Sequence, residues 1–148
     1  MRIPYIPVYA YALINNEIVV YNWNAMYIGD NKYRVFYGKK KSRDYYNVRE
    51  PDIEKLQIDS THRHLVLVSF INNNELKFIN ESLSLLEYQL AKEKDELISV
   101  KERLATEHYY CNRQTTLGLE ILTSENIKEL SNRIELLNKL KGQYNEHN

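Results

Sequence analysis

His62, His64, His108 and Cys111 are the side chains of this chain best able to hold a metal or attack a substrate. His62 and His64 alternate onto one face of a predicted strand, and His108 precedes Cys111 at helical spacing, so a four-ligand zinc site can be drawn. Nothing in the sequence brings that strand to the far end of a helix, and the histidines are expected at surfaces or strand ends, with no metal held. Cys111 near His108 has the residue types of a nucleophile and its base, yet no orienting carboxylate or oxyanion donor accompanies them. The acids are spread around helices and are not paired for proton transfer. These residues point to a non-enzymatic protein without a cofactor.

Binding chemistry is better represented. The run Gly38 to Asp44 reads Gly-Lys-Lys-Lys-Ser-Arg-Asp, bracketed by Tyr33, Arg34, Phe36 and Tyr37 on one side and by Tyr45, Tyr46 and Arg49 on the other. Cations interleaved with rings suit single-stranded nucleic acid, because lysine and arginine neutralise phosphate while rings stack on bases. Lys39, Lys40, Lys41, Arg43 and Arg34 would supply the charge, with Tyr33, Tyr37, Tyr45 and Tyr46 as the rings. The competing reading is a solvated hairpin turn whose lysines protect a sheet edge from aggregation. The run is not a P-loop, since it lacks the first glycine and leads into no helix.

The elements that must carry these residues follow from hydrophobic period. Val8 to Ile14 and Glu17 to Trp23 are rich in Val, Ile and Tyr, and Asn15-Asn16 between them tolerates the positive backbone angles of a tight turn. Met26 to Ile28 and Lys32 to Tyr37 flank Gly29-Asp30-Asn31 as a second hairpin. Ile53 to Ile58 is a further short strand. Leu65 to Ile71 is nearly all apolar and is expected to be a strand buried on both faces. Asn72-Asn73-Asn74 then supplies a turn and a helix cap.

Behind the cap a seven-residue apolar repeat runs through Leu76, Ile79, Leu83, Leu86, Leu90, Leu97, Val100 and Leu104. Ile127, Leu130, Ile134 and Leu137 repeat the pattern, with Thr123 and Ser124 as candidate caps. Folding the chain back about Leu117 pairs Leu90 with Tyr144, Leu97 with Leu137, Val100 with Ile134, Leu104 with Leu130, and Glu93 with Lys141. That register predicts an antiparallel, coiled-coil-like helical hairpin. It leaves Leu76, Ile79, Leu83 and Leu86 to be covered by the sheet or by a second copy in a homodimer. The expected fold is α+β: an antiparallel sheet or small open barrel of about five strands over residues 1–72, then a hairpin arm over 73–148.

Charge is balanced overall but not along the chain. Residues 1–49 hold eight Lys or Arg against three Asp or Glu, and residues 50–148 hold twelve against seventeen. A basic front fits a polyanion partner, although the acidic rear is also what solvated helices carry. Thirteen tyrosines against three phenylalanines and one tryptophan suggest a protein-contact surface, or an AT-rich coding bias that raises Asn, Lys, Ile and Tyr together. The apolar stretch from Ile3 to Ile14 is interrupted by Pro4 and Pro7 and is too short to span a membrane. A single cysteine makes a reducing, cytoplasmic setting the default. The leading expectation is an accessory protein, whether adaptor, assembly factor or inhibitor. It would bind another protein through the hairpin and the tyrosine-rich sheet, with nucleic-acid binding through segment 32–49 as the alternative.

Overall fold

The computed structural model describes residues 5–36, 45–49, 54, 56–59, 64–106 and 110–147, but not the side chains of Tyr46, 57–59, His64, 110–111 and 145–147. Its elements are β1 (Ile6–Ile14), β2 (Glu17–Gly29), β3 (Lys32–Phe36), β4 (Tyr45–Arg49), β5 (Leu56–Asp59), β6 (His64–Ser69), α1 (Glu75–Thr106) and α2 (Tyr110–His147). The chain divides into two compact units, Met1–Phe78 and Ile79–Asn148. The α+β architecture, a sheet followed by a helical hairpin, is the one the hydrophobic periods predict.

The first unit is an open antiparallel sheet of six strands in the order β4-β3-β2-β1-β6-β5. Asn15 and Asn16 make the β1–β2 turn with φ of 51° and 66°, a conformation asparagine reaches at small cost. The two short strands expected at 17–23 and 26–28 are one strand, because Asn24 and Ala25 stay in register with Pro7 and Ile6. The β2–β3 pairing shifts between Tyr27 and Gly29, where Gly29 has φ of 93° and a side chain would be strained. The β6 prediction holds: Val66 to Ser69 are buried, alternate residues facing opposite sides.

One sheet face packs Val8, Ala10, Ala12, Trp23, Ala25, Val35, Val48, Val66 and Val68 together. The small alanines sit at the crossing of three adjacent strands, with Ala10 beside Val68 and Ala12 beside Val66 and Val19. On the other face Tyr11, Leu67 and Phe78 form a second cluster, which Tyr9, Leu13, Ile18 and Leu56 extend. Polar groups lock this corner. The Tyr11 hydroxyl donates to the Ile71 carbonyl at 3.0 Å and accepts from the Asn74 amide at 3.1 Å. Burial raises the Tyr11 phenol above its ordinary pKa, since the charged form would lose water there. Ser69 donates to Glu54 at 3.2 Å and accepts from Asn74 Nδ2 at 2.7 Å and the Ile71 amide at 3.1 Å, so its hydroxyl is fully used. Asn74 also accepts the first helical bond from the Phe78 amide at 2.9 Å, which makes it the cap that the asparagine run predicts.

The second unit corrects the helical register. The chain does not turn near Leu117: α1 ends at Thr106 and α2 begins at Tyr110. Arg113 Nη1 donates to the Leu104 carbonyl at 2.7 Å, beside that turn. A shallow groove is lined by Gln89, Lys92 and Glu93 from α1 and by Asn126, Glu129 and Leu130 from α2. Glu93 thus lies across from Asn126 and Leu130, not from Lys141, an offset of two heptads from the predicted register. A heptad pattern is unchanged by such a slip, so it fixes the buried face but not the partner. The new offset faces Leu104 with Thr116, Leu97 with Thr123, Leu90 with Leu130 and Leu83 with Leu137. The burial of Leu83, Leu104, Thr116, Thr123 and Leu137 agrees.

Thr123 is therefore a seam residue and not a helix cap. Thr116 is accommodated in the seam because its hydroxyl donates to the Asn112 carbonyl at 2.9 Å. The longer α2 also reaches back beside Leu86 and Leu83. Ile79, Leu83 and Leu86 are buried within the single chain, so they offer no stripe to a second copy. Leu76 is half-buried in the first unit.

Candidate functional site

Strand alternation sorts the aromatic and basic residues of segment 32–49 onto two faces. Arg34 pairs in register with Met26 and Asn47, and Phe36 with Asn24 and Tyr45. With Lys32 and Arg49, these residues share the face that carries Asn22 and, at the start of β1, Tyr5 and Pro7. All of these positions are exposed or half-buried. The same face is closed over by Phe78 only at its other end, around Tyr11 and Leu67. Its β2–β3–β4 end carries rings, amides and cations at exposed or half-buried positions. None of these positions carries a carboxylate.

The rings form a connected row. Tyr5 and Phe36 have centroids 5.7 Å apart with planes inclined by 66°. Phe36 and Tyr45 are also 5.7 Å apart, inclined by 60°. The Arg34 guanidinium lies 4.3 Å from the Tyr45 ring centroid, a cation–π contact that holds a long side chain against the sheet. Arg34 Nε is buried and has no hydrogen-bond partner among the described residues. Tyr5 is 49 % and Tyr45 43 % exposed, leaving much of each ring to solvent. The amides of Asn22, Asn24 and Asn47 make no hydrogen bond among the described residues. Such a surface can stack planar groups, fork an anion, and donate and accept hydrogen bonds at once.

Of the binding residues picked out from sequence, the structure brings Arg34 and Tyr45 together. Tyr33 lies on the opposite face, with its ring 5.3 Å from Tyr27 and 5.9 Å from Phe70. Tyr46 pairs in backbone register with Val35, and its side chain lies outside the described residues. Tyr37, Lys39, Lys40, Lys41 and Arg43 lie outside the described residues. The contributions of Tyr5, Asn24 and Asn47 were not foreseen. Reading 32, 34, 36 and then 45, 47, 49 as alternating strand positions would have found the last of these, because it collects Lys, Arg, Phe, Tyr, Asn and Arg on one side.

The chemical candidates fare differently. His62 and His108, and the side chains of His64 and Cys111, lie outside the described residues. Among the described residues no group of three His, Cys, Asp or Glu is placed to hold a metal ion. No helix among them is long and apolar enough to cross a membrane.

On the second unit, Ile98 (57 % exposed) and Ile121 (62 %) are the most prominent exposed aliphatics, with Leu122 and Tyr88 also exposed. The hairpin register sets Ile98 and Ile121 side by side on one flank, with Lys94, Lys101 and Lys128 around them. No protein-family model, no curated protein and no solved structure matches this chain.

Proposed function

We propose that this chain is a non-enzymatic nucleic-acid-binding protein whose first unit takes an extended single strand across the β2–β3–β4 face. The observation that carries this reading is the patch itself, whose described positions hold no carboxylate: three rings in a row, an arginine stacked on one of them, and Lys32 and Arg49 beside it. Each ring offers a sequence-tolerant stacking surface, and each base stacked contributes about 1–3 kcal/mol. The basic excess of residues 1–49 adds long-range attraction to phosphate. A duplex presents phosphates but not base faces, so stacking favours the single strand. The test is fluorescence anisotropy with labelled single-stranded and duplex oligonucleotides at low and at physiological salt. Single-stranded binding that survives physiological salt and weakens in Phe36→Ala supports the reading; absence of binding even at low salt overturns it.

A second reading rests on the hairpin. The Ile98–Ile121 flank with its three lysines suits a protein partner with an apolar strip and an acidic rim. Changing Ile98 and Ile121 to Glu would abolish such a complex and leave oligonucleotide binding intact. A homodimer through Leu76, Ile79, Leu83 and Leu86 is not part of either reading, because the last three are already covered.

A further inference from the structure

The observed hairpin register leaves much of its seam mismatched. The two-heptad offset sets Thr116 against Leu104, Glu120 against Val100, Thr123 against Leu97 and Ile127 against Glu93. Thr116 and Thr123 are buried there, and Glu120 and Glu93 are half-buried. Both facing residues are apolar at Leu90 with Leu130, Leu86 with Ile134 and Leu83 with Leu137. Gly118 lies well inside α2 with open space around its α-carbon, although glycine is among the poorest helix formers.

Sliding α2 by two heptads reverses these mismatches. Leu104 then faces Leu130, Val100 faces Ile134, Leu97 faces Leu137 and Leu90 faces Tyr144, while Glu93 meets Lys141 with opposite charge. The threonines leave the seam, and Gly118 joins Leu117 in the turn, where a glycine backbone fits. What the slide gives up is the cover over Ile79, Leu83 and Leu86, all buried in the observed register. Both arrangements use the same apolar stripe of each helix, so the heptads favour neither. We propose that the hairpin is a two-register switch. The observed register is the resting one; a slide of about 21 Å leads to a second, which has an apolar seam from Leu90 to Leu104 and exposes Ile79, Leu83 and Leu86. A ligand that covers the exposed stripe binds only the second register and draws the hairpin into it.

The experiment measures, by pulsed electron–electron double resonance, the distance between nitroxides at Ala91→Cys and Ser131→Cys in the full chain with Cys111→Ser. Both labelled positions are exposed. Ser131 faces Gln89 in the resting register and Arg103 in the second, so the backbone separation from Ala91 rises from about 10 Å to about 20 Å. Gly118→Pro breaks α2 in the resting register and is accommodated in the turn of the second. It shifts the ratio of the registers by about a hundredfold, and the long distance replaces the short. Leu86→Glu sets a charge against Ile134 in the resting register alone and has the same effect. Gly118→Ala keeps the short distance. A short distance retained in Gly118→Pro or Leu86→Glu, with helical circular dichroism intact, overturns the switch. Loss of helix in both variants also overturns it, because an available second register would have received them.

Discussion

Leu137 decides the hairpin register. It is 1 % exposed on α2, and the two-heptad offset faces it with Leu83, whereas the register read from the heptads alone faces it with Leu97. Truncating such a leucine to alanine removes its transfer free energy and leaves a cavity, together costing about 3 kcal/mol. Leu83→Ala costs a similar amount. Two truncations facing each other share one cavity, so the double variant departs from additivity by about 1 kcal/mol. Leu97 lies two heptads away, about 21 Å along the helix at 1.5 Å per residue, so its cycle with Leu137 is additive within about 0.5 kcal/mol. Urea unfolding followed by the helical circular dichroism signal measures both cycles. Coupling of Leu137 to Leu97 and not to Leu83 would refute the register.

Other consequences are as direct. The same offset separates Glu93 from Lys141 by about 21 Å, between two and three Debye lengths of about 8 Å at physiological salt, so reversing both charges yields no measurable coupling in a double-mutant cycle. Tyr11→Phe strips a partner from the part-buried Ile71 carbonyl and from the Asn74 amide and lowers stability by about 0.5–1.5 kcal/mol in denaturant titrations. Because the folded-state pKa of Tyr11 is raised, its contribution is complete below the ordinary tyrosine pKa and is lost as pH rises through the folded value; alkaline melting curves fall more steeply for wild type than for Tyr11→Phe. Arg34→Ala weakens oligonucleotide binding and reduces the slope of log affinity against log salt by about one, whereas Phe36→Ala weakens binding with the slope unchanged.

Much of the fold was legible because local chemistry was decisive. Asn15-Asn16, Gly29-Asp30-Asn31 and Asn72-Asn73-Asn74 mark turns by their tolerance of positive φ, and five of these asparagine and aspartate residues adopt it. The hairpin itself was legible from the apolar repeat. Its register was not, because Thr116 and Thr123 fill seam positions with polar residue types, and the seam therefore reads as ending at Ile127. β4 escaped notice because Tyr45 to Arg49 contains no apolar alternation beyond Val48 and follows a lysine-rich run. At the candidate site, Arg34 and Tyr45, both singled out by residue type, share one face and touch. Tyr33 was grouped with them because it is adjacent in sequence, while alternation places it on the other face. Tyr5 is distant in sequence and joins the row only through the pairing of β1 with β2 and β2 with β3.

The most direct test of the central proposal is a two-dimensional amide NMR titration of the full chain with a short single-stranded oligonucleotide. Single-strand binding at this face concentrates the shifts on Tyr5, Asn24, Arg34, Phe36, Tyr45 and Asn47 and leaves the Ile98–Ile121 flank of the hairpin unmoved. Shifts confined to the hairpin, or to the opposite sheet face around Tyr33 and Trp23, would contradict it.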